Sequence, residues 1–210
     1  MPTINGKGQA TVFSRNELIK FFKVAKQHDF YWYCLFKFLY YSGERSGCVL
    51  QVKWSDIDTK TNVISFRSET RKGKSSRKPI PIHPELRQIL FQYEPRHRER
   101  LNILLDKANK NQEIIDIDLV RDFLFLSPTK FTYLFRSSLD QKFRKLLLEC
   151  GYENKGFSLH SFRRTFITRL YEINKNIKEC MAITGHTSVG NFMLYVDISE
   201  NSIVESINSL

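Results

Sequence analysis

The chain has 210 residues, of which 41% are hydrophobic and 13% aromatic, so it can form a substantial core and does not have a disordered composition. Lysine and arginine number 33 against 22 acidic residues. The net charge of +11 favours a polyanionic partner, nucleic acid before an anionic membrane surface. A signal-peptide pattern and an apolar run of transmembrane length are both lacking, which argues against a membrane protein. The four cysteines lack the paired spacing of a zinc site, and Cys34 and Cys180 are predicted to be buried free thiols.

The first predicted elements are two helices that follow an N-terminal arm, residues 1–13. Ser14 and Glu17 form a capping-box pattern that begins the first helix. Asp29 can cap a second helix, which is apolar nearly all round and which Gly43 can end. We expect this second helix to be buried at the centre of the domain.

A β-hairpin is predicted next. The stretch 54–62 is rich in turn residues, and two β-favouring runs follow it, VISF at 63–66 and PIPI at 79–82. A basic, glycine-containing loop separates the two runs, so the hairpin has a basic tip.

The remainder is predicted to be mainly helical. A short helix is expected over 83–93, helix and loop over 94–122, and a buried strand in FLFL at 123–126. The last third favours helices over the ranges 131–149, 158–173, 176–184, 188–198 and 202–209. The fold class is therefore α+β, mainly helical, with a small antiparallel β-sheet in one compact domain.

A scattered set of side chains could together cleave a phosphodiester. Arginines bind its oxygens through bidentate hydrogen bonds, a lysine can protonate a leaving alkoxide, histidines move protons, and a tyrosine can be a covalent nucleophile. The candidates with these side chains are Arg45, Lys72, Lys74, His160, Arg163, His186 and Tyr195. Each alone has an ordinary structural explanation, such as a solvated charge or a core tyrosine.

In order and spacing these candidates resemble the tyrosine recombinase (phage integrase) family. Gly-x-Arg ending at Arg45, with WSDID after it, is similar to the family's first box, and Lys72 is similar to its hairpin lysine. HSFR at 160–163 matches its His-x-x-Arg box. Gly-His at 185–186, followed nine residues later by Tyr195, matches its last box.

The resemblance implies a DNA strand transferase that needs neither a metal ion nor another cofactor. Tyr195 would attack a backbone phosphorus and form a 3′-phosphotyrosyl intermediate, while Arg45 and Arg163 would stabilise charge on the phosphoryl oxygens. Lys72 would be the general acid, with Lys74 as the alternative.

The two histidines have separate implied roles. His160 would handle the proton of the nucleophile, and His186 would donate a hydrogen bond to the phosphate. The partner would be double-stranded DNA, on which the protein would self-associate, in the cytoplasm of a bacterium or in a phage system. A type IB topoisomerase and a catalytically inactive DNA-binding regulator stay open as alternatives.

The sequence departs from the family pattern at three positions. Cys48 stands where an acidic residue is usual three positions after the first arginine, Glu44 replaces an apolar residue before it, and Thr184 replaces a common leucine before Gly-His. The changes at Glu44 and Cys48 alter the support expected around Arg45, whereas the change at Thr184 is expected to be minor.

The chain is expected to divide into an arm at 1–13, a catalytic domain at 14–198 and a helical tail at 199–210. Only the short arm precedes the first helix, so the chain is either a fragment or a minimal recombinase. In the tail, apolar residues form one helical stripe, which could dock on its own domain or on a neighbouring protomer.

Overall fold

The structure is a computed structural model that describes residues 10–70 and 79–195. Lys72 and Lys74 lie outside the described residues, as do residues 1–9 and the predicted tail helix. The helices of the described ranges are α1 (Arg15–His28), α2 (Phe30–Ser42), α3 (Ser46–Val49), α4 (Pro84–Lys110), α5 (Ile117–Asp122), α6 (Arg136–Glu149), α7 (His160–Asn174), α8 (Ile177–Thr184) and α9 (Val189–Met193).

The first two helices confirm the capping patterns. The Ser14 hydroxyl accepts from the Glu17 N–H while the Glu17 carboxylate accepts from the Ser14 N–H, so two free donors at the helix start are satisfied. Asp29 caps α2, and Gly43 ends it in the left-handed conformation. Helix α2 lies at the centre of the domain, in contact with α1, α4 and α7.

The predicted hairpin is confirmed, and a further strand extends it. β1 (Ile57–Asp58), β2 (Val63–Ile64) and β3 (Ile80–Pro81) form an antiparallel sheet in the order β1-β2-β3. β1 falls inside the stretch predicted as turns. Its two residues alternate half-buried and exposed, a pattern too short to be recognised among the surrounding turn residues.

Helix α4 is much longer than the predicted 83–93. It continues through Pro95, which lies inside the helix although proline removes a hydrogen bond there. Buried residues on both sides of the proline, from Leu90 and Tyr93 to His97 and Leu101, keep one face of the helix against the core. Tertiary packing thus outweighs the local helix breaker.

Two predictions in the middle of the chain are wrong. The predicted strand 123–126 is buried, but it makes only isolated bridges, one of them between Phe123 and Lys53. The helix predicted over 131–149 begins at Arg136, because Tyr133 bridges to Leu126 instead. An apolar run of four residues cannot distinguish a ladder strand from a buried extended segment.

The core holds α7 in place through aromatic contacts. The Phe162 ring is fully buried, and its centroid lies 5.5 Å from that of Phe21, 5.6 Å from that of Phe36 and 5.7 Å from that of Phe143. This packing fixes the orientation of α7, and with it the directions of the side chains next to Phe162. Within the part of the chain that the structure describes, no helix is long and apolar enough to cross a membrane.

Candidate active site

The candidate site forms where the end of α2 meets the start of α7. Gly43 adopts φ +58°, and a Cβ on it would lie 2.1 Å from the Phe166 ring of α7. Only glycine satisfies both the left-handed backbone and this close approach. Arg45 lies at the start of α3, two residues after Gly43, close enough for its charge to act on His160 in the first turn of α7.

Arg163 is the buried centre of the site, with 1% of its surface exposed. One terminal nitrogen donates to the Gly43 carbonyl at 2.8 Å, and the other donates to the Thr184 carbonyl at 3.2 Å and lies 3.3 Å from His186 Nε2. The guanidinium thus links the ends of α2 and α8. Desolvation lowers the pKa of Arg163, which stays charged because an arginine titrates far above neutral pH.

Glu44 supplies a buried carboxylate that sequence reasoning missed. Its side chain is fully buried, its Oε1 lies 3.6 Å from Arg163, and the same oxygen accepts the Arg45 N–H at 2.9 Å. The usual acidic position holds Cys48 instead, whose thiol donates to the Thr70 carbonyl at 3.0 Å. The acidic residue beside the first arginine was visible in the sequence, but its direction depends on the left-handed turn at Gly43.

We expect Glu44→Ala to lower the free energy of unfolding by about 3 kcal/mol, because it leaves the Arg163 charge buried without its carboxylate. Urea unfolding followed by circular dichroism measures this loss. Glu69→Ala is the matched control, since Glu69 is 64% exposed and lies 4.0 Å from Arg67, and it should change stability by less than about 1 kcal/mol. Equal unfolding midpoints for the two variants would show that the Glu44 pair is not stabilising.

His160 and Tyr195 meet at the open side of the site. Tyr195 follows α9, and its hydroxyl lies 2.8 Å from His160 Nε2. The Thr168 hydroxyl donates to the Tyr195 carbonyl at 2.7 Å and fixes the backbone of the tyrosine. The Tyr195 ring centroid lies 5.7 Å from the Arg163 guanidinium carbon, so the nucleophile candidate and the buried cation are neighbours.

Burial and the positive charges around His160 keep its imidazole neutral at pH 7. Desolvation and then the positive charges of Arg163, Arg45 and Arg136 lower the pKa of His160 to about 4. A neutral Nε2 can accept the proton of the Tyr195 hydroxyl.

His186 is the second imidazole beside Tyr195. Gly185 ends α8 at φ +71°, and the His186 N–H donates to the Met181 carbonyl at 3.0 Å. The imidazole centroid lies 5.1 Å from the Tyr195 ring, and its Nδ1 lies 2.7 Å from the Thr184 hydroxyl. The change to threonine at this position is therefore not minor, since its hydroxyl, which a leucine lacks, contacts the His186 imidazole.

The structure thus places five of the seven candidate residues around one site within the described residues, and Lys72 and Lys74 lie outside them. The candidates that it brings together are Arg45, His160, Arg163, His186 and Tyr195.

Comparisons with known proteins identify the family of the chain. The model of the phage integrase family matches residues 11–202. Tyrosine recombinase XerC of Chlamydia caviae is 29% identical over 166 residues, which cover 79% of this chain and 46% of the relative. The chain spans about half the length of the first curated relatives that it matches.

Two solved structures share the fold. The crystal structure of XerA recombinase has a TM-score of 0.73 at 23% identity and covers 96% of this chain and 65% of that one. The second is XerH site-specific recombinase bound to palindromic difH substrate, in a post-cleavage complex. It has a TM-score of 0.71 at 19% identity and covers 99% of this chain and 55% of that one. The family model matches most of the length of this chain, which therefore belongs to the phage integrase family.

Proposed function

We propose that the chain is the catalytic domain, residues 14–198, of a site-specific DNA recombinase that works through a 3′-phosphotyrosyl intermediate. The observation that carries the proposal is the Tyr195 hydroxyl, 2.8 Å from a neutral His160 and beside the buried Arg163. The XerH complex, which contains DNA, supports double-stranded DNA as the substrate.

In the proposed cleavage step, the Tyr195 oxygen attacks a backbone phosphorus. The bond from phosphorus to the 5′ oxygen breaks, the 5′-hydroxyl leaves, and the 3′-phosphate stays on the tyrosine. Arg45 and Arg163 stabilise the negative charge that develops on the non-bridging oxygens. Attack by a 5′-hydroxyl of another strand reverses the step, so rejoining needs no external energy source.

His160 accepts the tyrosine proton in this scheme. Burial and the nearby arginine charges hold its pKa at about 4, so it is a weak base in the DNA-free protein. A phosphodiester between Arg45 and Arg163 adds a negative charge, which favours the protonated imidazole and raises its basicity when substrate is bound. The base therefore becomes effective only in the complex with DNA.

Two DNA substrates test the proposal. A nicked suicide substrate, which loses the leaving strand, should trap a covalent protein–DNA adduct. Two labelled recombination sites should exchange strands. Adduct without exchange, together with relaxation of supercoiled DNA, would favour a topoisomerase, and DNA binding without any adduct would favour an inactive regulator.

Lys72 is proposed as the general acid, with Lys74 binding the DNA backbone. A 5′-bridging phosphorothioate has a leaving group that needs little protonation, so it should restore cleavage by Lys72→Ala to near the wild-type rate. Gel assays of cleavage on normal and sulfur-containing substrates measure the rescue. Lys74→Ala is the matched control, and rescue of that variant instead would exchange the two roles.

DNA affinity is expected to fall steeply with salt, because the net charge is +11 and each neutralised phosphate contributes about −0.9 to the slope of log K against log salt. About five phosphate contacts would give a slope of about −4.5. Fluorescence anisotropy with a labelled duplex at several salt concentrations measures it. A slope near zero would argue against a protein that binds the DNA backbone.

We also propose that the protein self-associates on DNA and that it acts in the cytoplasm of a bacterium. The sequence support is the apolar stripe of the tail, at Ile203, Val204, Ile207 and Leu210, because a helix this short needs a docking surface. Sedimentation of the full chain and of a truncation after Ile198, each on duplexes with paired sites, tests this. Equal complexes from both proteins would argue against the tail as a link between protomers.

A further inference from the structure

We propose that Thr184 is a positioning residue that holds His186 in the Nδ1–H tautomer and connects it to Arg163. Thr184 is fully buried at the end of α8. Its hydroxyl contacts the imidazole, and its carbonyl accepts a hydrogen bond from the guanidinium. The inference deepens the proposed function, since it concerns the group that would face the phosphate.

The hydroxyl of Thr184 has one proton, and that proton has an acceptor in the helix. Oγ1 lies 2.7 Å from the Cys180 carbonyl, a short hydrogen bond in which only the hydroxyl can donate. A lone pair of Oγ1 therefore faces His186 Nδ1, also at 2.7 Å. The contact is attractive only when Nδ1 carries a proton.

The other end of the imidazole gives the same assignment. His186 Nε2 lies 3.3 Å from a terminal nitrogen of Arg163, which can only donate. In a neutral ring protonated at Nδ1, Nε2 is an acceptor and the contact is attractive. The opposite tautomer would place a donor against a donor at Arg163 and the lone pair of Nδ1 against the lone pair of the Thr184 hydroxyl.

This arrangement lets His186 Nε2 change partner when substrate binds. In the DNA-free protein, Nε2 accepts from Arg163. When a phosphate binds Arg163, a proton from solvent on Nε2 would let the same nitrogen donate to a phosphate oxygen, while Nδ1–H stays on Thr184. A leucine at position 184 has no group that could hold Nδ1 in this way.

Nitrogen-15 NMR of the histidine side chains tests the assignment directly, because the two neutral tautomers have different nitrogen shifts. The His186 signal is identified by its loss in His186→Gln. The wild-type protein should show the Nδ1–H form, and so should Thr184→Ser. Thr184→Val, which removes only the hydroxyl at nearly constant volume, should show a large population of the Nε2–H form.

Single-turnover cleavage gives a second readout. Thr184→Val should cleave about tenfold more slowly, which is the order expected for one buried hydrogen bond, and Thr184→Ser should stay within about twofold of wild type. Thr165→Val is the matched control, since Thr165 is also fully buried and its hydroxyl bonds the Ser161 carbonyl at 2.7 Å, away from His186. It should leave the His186 tautomer unchanged.

Three results would overturn the proposal: an Nε2–H tautomer in the wild-type protein, an unchanged tautomer in Thr184→Val, or equal loss of cleavage in Thr184→Ser and Thr184→Val. The first of these results is measured on the wild-type protein, so it does not depend on whether a variant folds. Absence of cleavage by the wild-type protein would contradict the proposed function and leave the tautomer measurement as the test of Thr184.

Discussion

Tyr195→Phe is expected to abolish covalent attachment of DNA while DNA binding stays within about twofold of wild type. The substitution removes the proposed nucleophilic oxygen and its hydrogen bond to His160. It keeps the ring, whose centroid lies 5.3 Å from that of His160 and 5.1 Å from that of His186. The fold and the phosphate-binding arginines should therefore be unaffected.

A denaturing gel of a labelled suicide substrate measures the adduct, and anisotropy measures binding. Tyr171→Phe is the control, because Tyr171 lies on α7 and contacts Phe192, with 6.2 Å between the ring centroids. That variant should form the adduct at the wild-type rate. A persistent adduct in Tyr195→Phe would assign the nucleophile to another residue, and Tyr171 would be tested next.

Arg163→Ala is expected to slow cleavage by about two to three orders of magnitude at saturating DNA, since loss of one donor to a developing oxyanion costs about 2.7–4 kcal/mol. Arg163→Lys should recover little of this loss. An ammonium is a point charge and cannot reach the carbonyls of Gly43 and Thr184 together, as the guanidinium does.

The control for Arg163 is Arg169→Ala on the same helix. Arg169 is half-buried, and it donates to the Tyr40 hydroxyl at 2.7 Å instead of facing the site. Unfolding curves of each variant separate loss of fold from loss of chemistry, and the rates are compared per folded molecule. Wild-type cleavage by Arg163→Lys would mean that only a positive charge is needed at this position.

Local signals predicted much of the helical fold, because caps and apolar periodicity act within a few residues. Asp29 and Gly43 define α2 in the sequence as they do in the structure. The errors arise where tertiary contacts decide. Pro95 is accommodated inside α4 by packing on both sides, and the two-residue strand β1 exists only through its pairing with β2.

The candidate site likewise combines features that the sequence predicts with contacts that only the fold determines. The resemblance to the phage integrase family predicted one site for His160, Arg163 and Tyr195, and the structure brings the two α7 residues beside Tyr195, which follows α9. The contacts that support them could not be predicted. Glu44 reaches Arg163 only because Gly43 turns the chain, and Thr184 holds His186 only because α8 ends at Gly185.

The most direct test of the account is to map the covalent adduct. Trypsin cuts after Lys178, and the sequence from there to residue 210 contains a single tyrosine, Tyr195. After reaction with a nicked suicide duplex, trypsin and nuclease digestion, mass spectrometry should find this peptide carrying a nucleotide through its 3′-phosphate, with a free 5′-hydroxyl on the released strand. A nucleotide on any other peptide, a link through a 5′-phosphate, or no adduct on a duplex that the protein binds would contradict the account.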